Sequence, residues 1–542
     1  MKLYKITLIY ILIAIVFFYP LSIKFQTHIH DNHDSLFLVW LFSWYKHVIP
    51  GNIADFFNAN LLYPDKMTLA YSTFVYAKIP VFFFFDLFFR NTLASMNLTF
   101  FASVIISAVG GYLLVFHYTK NHFASLVTGF IYAFSPIKMG RFHLAHVLNM
   151  EYFPFAILFI EKYYQSKNKK YLLFFSIFSI LQIVSEGYSA YIYIFGMTIF
   201  MVLRFRSKLF DKNLLISGLI QLIISSAAYF PYIYLLIKQP IIFKKELVWS
   251  VGLSNGMDSF TLLSENLHSL NRLILPFIKM GSPEKSLYFG FLPIFLIFLY
   301  LFLKDKKQKY IWYLMMFLYI ALSFGPYWIR SAHQPVKLIY YYFWKFIPGF
   351  SVMRSAGRFS IGAVLPVAII SGFCISRALI LIKNKYFITV VKLLIILILI
   401  FDNFFLPFPA VPIIKIPKIY YELKKQKEGT VFEFPFHTEH DFFINRANYF
   451  STVDFFPRVM AYSSSYSETF HYFKFLERTK LLYTPSMAVK LRELKIAYIL
   501  LHKYNLSQDD LHNFQELIRK LNYSKINEAN EIELYQNKSF KL

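Results

Sequence analysis

The chain has 542 residues, 57% of them hydrophobic and 16% charged, with 65 Phe, 41 Tyr and a formal charge of +26 at pH 7. Several separate apolar stretches of membrane-spanning length place it in the polytopic membrane class. The basic residues gather in short loops between apolar runs, so the charge reads as positive-inside topology and excludes nucleic acid as a partner, while the single cysteine, Cys374, excludes an intramolecular disulfide.

The first apolar run, Ile6 to Ile23, is long enough to cross a bilayer, and Lys2 and Lys5 set its start on the cytoplasmic side. It has no small-residue cleavage site and reads as a retained anchor. Asp31 and Asp34 then emerge on the outer side, before an aromatic helix that carries Trp40 and Trp44 on one face. A carboxylate at the membrane surface suits chemistry on a lipid-linked substrate. Asp before an apolar stretch is also a favoured N-cap, so Asp34 has a structural reading beside the chemical one. The two tryptophans read as interfacial anchors. Tyr63 and Pro64 read as a turn.

Residues 74–89 are short and interrupted by Pro80 and Asp86, which predicts an interfacial or re-entrant piece. Residues 95–117 and 122–134 follow as crossings, and Ser135 to His146 as an outer connection carrying Arg141, His143 and His146. The crossing at 147–161 leads to a basic loop, Lys162 to Lys170. Further basic loops at Arg204 to Lys208, Lys304 to Lys309 and Lys383 to Lys385 mark the cytoplasmic side. Between them lie crossings at 171–186, 188–203, 213–236, 286–303, 310–328, 359–382 and 387–406, about 11 in all. Glu186 falls at an outer end, where it is either solvated or functional. A long outer segment spans 237–285. Arg354 and Arg358 stand at i and i+4, on one face if helical, where substrate phosphate or lipid headgroups would satisfy them equally.

Four prolines, Pro407, Pro409, Pro412 and Pro417, mark the exit from the membrane. Beyond them, YYELKKQKEG reads as a helix and TVFEFPF as a strand. LRELKIAYILLHKY reads as a helix running into a buried strand. Ser507 N-caps the helix after it, and NEIELYQN forms a last strand. The predicted fold is therefore mainly α: a polytopic membrane helix bundle over residues 1–406, with a small extracytoplasmic α/β domain over 407–542.

Asp31, Asp34, His143, His146, Glu186, Arg354 and Arg358 all fall on the outer side. An acid, histidines and paired arginines at one membrane surface are what transfer from a lipid phosphate requires. The acid deprotonates an acceptor hydroxyl and the guanidinium groups hold the leaving phosphate. His143 and His146 could face a metal together, though two ligands are a weak signal. Asp31 and Asp34 could hold a divalent cation with a third ligand, and the metal requirement stays open. The rival class is a lipid or oligosaccharide transporter or flippase, whose signature would be internal repeats and midplane charges.

The runs DSLFLVWLFSW, NANLLYPDKMTLAYS, FIYAFSPIKMGRFHLAH, SEGYSAY, MRSAGRF and LRELKIAYILLH, in this order, resemble the bacterial polytopic glycosyltransferases of the GT-C superfamily. The resemblance implies an enzyme of the bacterial cytoplasmic membrane that takes a sugar from a polyprenyl-phosphate carrier. The acceptor, a glycan, lipid or protein, would be extracytoplasmic. It further implies Asp34 as the catalytic residue and Arg354 and Arg358 as the late outer motif. Asp31 and Glu186 have no secure counterpart in that pattern.

Overall fold

The computed structural model describes residues 2–148, 150–240, 263–264, 280–281, 287–303, 309–328, 335–353, 355–403, 407–435, 441–479 and 481–539. The long outer segment expected at 237–285 lies largely outside the described residues, as does Arg354.

Helices dominate, and local chemistry sets their ends. Thr92–Thr119 stops at Lys120, which adopts a left-handed backbone, and Asn121 then accepts from the Ala124 N–H at 3.1 Å to start His122–Phe134. The same Lys-Asn pair recurs at Lys167 and Asn168, between Phe153–Ser166 and Lys169–Ile183. Each tight turn lays two apolar helices side by side, because the left-handed residue reverses the chain and the Asn oxygen satisfies an orphan N–H.

Among the described residues, five helices are long and apolar enough to cross a membrane: Thr92–Thr119, Gly187–Phe205, Lys212–Lys238, Ala356–Leu381 and Lys385–Asn403. The other six expected crossings are shorter as helices. Leu3–Phe17, His122–Phe134, Phe153–Ser166, Lys169–Ile183, Phe291–Phe302 and Lys309–Ser323 each have 15 residues or fewer. At about 1.5 Å per residue none covers a hydrocarbon core of about 30 Å by helix alone. Apolarity along the sequence overstates span length because loops entering the bundle are apolar too. Ile79–Phe89, the piece expected at the interface, leaves Leu87 and Phe88 exposed while Asp86 pairs with Lys46 at 2.9 Å.

Ala356–Leu381 forms the centre of the bundle, packed against His122–Phe134, Phe291–Phe302 and Lys309–Ser323. Lys212–Lys238 and Lys385–Asn403 lie outside and expose Leu215, Leu219, Leu222, Ile223, Leu393 and Leu397. Side chains so apolar on the outside of a bundle require lipid around them.

Gly187–Phe205 relates the two ends of the bundle. Arg204, at its C-terminal end, grips the buried Glu161 through Nε (2.5 Å) and Nη2 (3.0 Å). Nearby, Lys167 pairs with Asp211 at 2.7 Å, which ties the basic loop at 162–170 to the residue three positions after the loop at 204–208, both read as cytoplasmic. Glu186 lies at the other end, about 28 Å away for 19 helical residues.

The C-terminal residues build a four-stranded sheet: β1 Val431–Phe434, β2 Tyr498–His502, β3 Tyr523–Ala529 and β4 Ile532–Asn537, in the order β1-β2-β4-β3. β1 and β2 are parallel, and the remaining pairs are antiparallel. Helices Asp441–Phe450, Glu468–Arg478 and Pro485–Glu493 fall within the β1–β2 crossover, and Gln508–Lys520 precedes β3. Ser507 caps that last helix, accepting from the Asp510 N–H at 3.1 Å. β3 is absent from the sequence reading because YSKINEA carries too little apolar alternation to stand out.

This C-terminal part is stitched to the first loops of the chain. His28–Ile29 pairs with Val411–Pro412, Tyr63 N donates to Arg458 O at 2.8 Å, and Arg458 N donates to Asn60 O at 2.9 Å. Arg458 is itself buried, bonded to Glu433 at 3.0 Å and to Asp454 at 2.8 and 2.9 Å.

Candidate functional site

A cavity of about 270 Å³ is lined by Asp34, His146, Glu186 and Arg358, together with residues from 70–74, 229–236 and 462–465. Four of the residues singled out from the sequence thus share one wall system, although they come from four distant stretches of the chain.

Asp34 opens the helix Asp34–Val48 but does not cap it. The capping bonds go to Asp31, whose Oδ1 accepts from the N–H of His33 (2.7 Å) and Ser35 (3.4 Å) and whose Oδ2 accepts from the Ser35 hydroxyl (2.9 Å). Burial would raise the Asp31 carboxyl, but the adjacent His30 and these donors outweigh it and hold the group below its ordinary value. Asp31 does not line the cavity. The two acids are therefore placed differently: Asp31 caps the helix, and Asp34 faces the cavity.

The Asp34 carboxylate accepts one hydrogen bond from a described residue, the Tyr462 hydroxyl at 2.7 Å from Oδ1. Tyr462 belongs to the segment between Asp441–Phe450 and Glu468–Arg478. Its backbone is held on both sides by the Asn448 carboxamide, which accepts from its N–H (3.1 Å) and donates to its C=O (3.0 Å). Its ring meets Phe37 edge-on at 5.8 Å. Beyond it, the Ser463 hydroxyl and the Ser465 N–H both donate to Tyr71 O at 2.9 Å.

Glu186 is buried, at 4% exposure, which removes the solvated reading. Its side chain N-caps Gly187–Phe205 by accepting from Ser189 N at 3.0 Å, and it stands within electrostatic reach of Arg358. Arg358 is also buried, on the turn Ala356–Phe359, with its guanidinium 4.6 Å from the centre of the Tyr188 ring. Arg354 lies outside the described residues.

The connection at 135–146, expected on the outer side, is packed inside the protein. Lys138, Arg141, His146 and Glu151 are all buried. Lys78 forms a buried ion pair with Glu151 and donates to Ser103, tying the strip that ends at Phe74 to the one that holds His146. His143 sits on a 3-10 turn, half-buried, and does not line the cavity. The i, i+3 spacing of the two histidines does not fall on an α-helix. Among the described residues no group of three or more His, Cys, Asp or Glu is disposed to hold a metal ion.

Trp40 and Trp44 are corrected as well. Both are inside the protein: Trp40 Nε1 donates to Asn60 Oδ1 at 3.1 Å and Trp44 Nε1 to Phe56 O at 3.0 Å. Residues of the following loop, Phe56 and Asn60, cover them, so they are not interfacial anchors.

The sequence reading missed the aromatic lining: Tyr71, Phe74, Tyr188, Tyr191, Tyr229 and Tyr232, with Tyr462 and its serines. Their hydroxyls anchor the wall, as when Tyr232 donates to Ser72 O at 2.6 Å and Tyr229 to Ile183 O at 2.9 Å. The run AYSSSYSETF was the available signal, a hydroxyl-rich patch in an apolar chain.

No protein-family model matches the chain, and no curated protein matches it. Among solved structures it is similar to the Archaeoglobus fulgidus oligosaccharyltransferase, crystallised with an acceptor peptide containing the NVT sequon tethered through a disulfide bond. That likeness has 13% identity, covers 99% of this chain and 74% of the other, and has a TM-score of 0.49.

What the site can do follows from its own side chains. It offers a carboxylate with one phenolic donor, a guanidinium stacked on a ring, and tyrosine faces edged with hydroxyls. Such a surface can take a proton, hold an anion and pack against a polar ring with apolar faces.

Proposed function

We propose that this chain is an integral membrane glycosyltransferase that moves a sugar from a polyprenyl-phosphate carrier to an extracytoplasmic acceptor. The observation that carries the reading is that Asp34 and Arg358 line the same cavity. The Asp34 carboxylate takes the proton of an acceptor hydroxyl as that oxygen bonds to the anomeric carbon. The bond from that carbon to the carrier phosphate breaks, and the phosphate leaves with the bonding pair, held by charge-assisted hydrogen bonds from Arg358. Attack from the side opposite the leaving group inverts the sugar carbon. His146 and Glu186 line the donor or acceptor cleft, and the tyrosines offer stacking faces to the sugar.

Residues 1–406 form the membrane catalytic part in this reading, and residues 407–542 an α/β domain on the extracytoplasmic side of a bacterial cytoplasmic membrane. The test is Asp34→Asn in membranes supplied with a polyprenyl phosphate bearing a radiolabelled hexose. Transfer should fall by about 10²–10⁴-fold, the usual contribution of a general base. Wild-type transfer by the variant removes Asp34 from the mechanism. Donor translocation without any transfer by the wild type makes the chain a transporter.

A further inference from the structure

We infer that Tyr462 is the positioning residue of the Asp34 carboxylate, so that the centre is complete only when the C-terminal segment is docked on the first outer loop. This rests on the reading of Asp34 as general base. A carboxylate on the first turn of a helix has several rotamers, and a base must hold one geometry against its substrate proton. Here the Tyr462 hydroxyl donates to Oδ1 at 2.7 Å, and no other hydrogen bond reaches the Asp34 carboxylate from the described residues. That single bond orients the group and leaves Oδ2 as the oxygen able to accept a proton.

Tyr462 is itself held firmly. Asn448, buried within Asp441–Phe450, binds both polar groups of its backbone, and Phe37, one turn after Asp34, packs on its ring. Four residues earlier, Arg458 joins the sheet to the outer loop through Asn60 and Tyr63. The Asn60 side chain in turn accepts from Trp40, six residues past Asp34 on the same helix, and donates to Ser451 at 3.0 Å. The helix bearing the acid and the segment bearing the phenol are thereby registered against each other at two points besides the Tyr462–Asp34 bond. A tyrosine serving only as packing would need neither the hydroxyl nor the double clamp.

Tyr462→Phe in the full chain tests this, since it removes one oxygen and keeps the ring. With a polyprenyl phosphate bearing radiolabelled hexose, kcat should fall about tenfold to a hundredfold, the range for a lost hydrogen bond to a charged group, with the donor KM little changed. The carboxylate stretch assigned to Asp34 by infrared difference against Asp34→Asn should shift in the same variant. Unchanged kcat together with an unmoved band overturns the inference. If the wild type transfers no sugar at all, the glycosyltransferase reading fails, and the band shift alone still decides whether Tyr462 orients Asp34.

Discussion

The Tyr462 hydroxyl lies 2.7 Å from Oδ1 of Asp34, across 428 positions of sequence. The contact joins a residue of the C-terminal α/β part to the first residue of the helix Asp34–Val48. A site made by two such remote segments responds to changes in either, and the responses differ in kind.

The two neighbouring acids should separate cleanly. Asp31→Ala removes the cap bonds to His33 and Ser35 and should cost about 1 kcal/mol of stability, read as a lowered thermal midpoint in detergent. Asp34→Asn should leave the midpoint near that of the wild type while lowering turnover by the same factor of about 10²–10⁴, the contribution of a general base. An Asp31→Ala chain as stable as the wild type would show that the helix start is held by other groups.

Arg358→Lys should behave as a severe change. The guanidinium lies over the Tyr188 ring and, in the proposed role, offers the leaving phosphate a planar fork, whereas an ammonium on a flexible stem does neither. Donor kcat/KM should fall by about 10²-fold or more, comparable to losing a transition-state donor. Full activity in Arg358→Lys would leave only a point charge in the role.

Removing Arg458 takes the guanidinium away from two buried acids. Arg458→Ala leaves Glu433 and Asp454 buried without their partner, and a broken buried pair costs about 3–5 kcal/mol. The C-terminal part should become protease-sensitive, and Asp34 chemistry should fail with it because Tyr462 is displaced. Resistance to limited proteolysis equal to the wild type would contradict this.

The same cluster predicts an acid response. Burial would raise Glu433, but the His502 hydrogen bond and the Arg458 charge outweigh it and bring the carboxyl down to about 2. A carboxyl depressed by folding binds its proton more weakly in the folded state, so its contribution is complete above the ordinary value of 4.5 and is lost as pH falls toward 2. Unfolding of the C-terminal part, followed by proteolysis between pH 6 and 3, should steepen below pH 4.5. Glu433→Gln should flatten that dependence.

Helix packing offers a test that does not touch the site. A Cβ on Gly362 would stand 2.5 Å from Tyr319 Cε1 and 2.7 Å from Ile192 Cγ2, and the Tyr319 hydroxyl is already engaged with Ile192 O at 2.6 Å. Gly362→Ala should therefore cost about 1–3 kcal/mol through overpacking. Gly218→Ala, with open space around the added carbon, should be neutral or mildly stabilising. Equal midpoints for the two variants would mean that the central helix can shift to make room.

Much of the molecule is legible in its residues. Apolar runs and basic loops locate the five long helices, and Ser507 announces its cap. The acid at position 34 and the arginine at 358 stand out because charge in an apolar chain demands a reason. The sequence was a weaker guide wherever burial decides. Trp40 and Trp44 have the spacing of membrane anchors, yet the loop holding Phe56 and Asn60 folds over them. Glu186 looks like a solvated helix end and is buried. His143 and His146 look like a pair, and a 3-10 turn separates their fates.

Composition and periodicity are local properties, so by themselves they determined the membrane class, the long helices and the residue types that carry chemistry. Tertiary structure alone decided that Asp31 caps while Asp34 faces the cavity, that His146 and Arg358 join it, and that Tyr462 holds it. The reason is physical: a hydrogen bond depends on distance and angle between groups, and the packing of remote segments sets both, whatever their spacing along the chain.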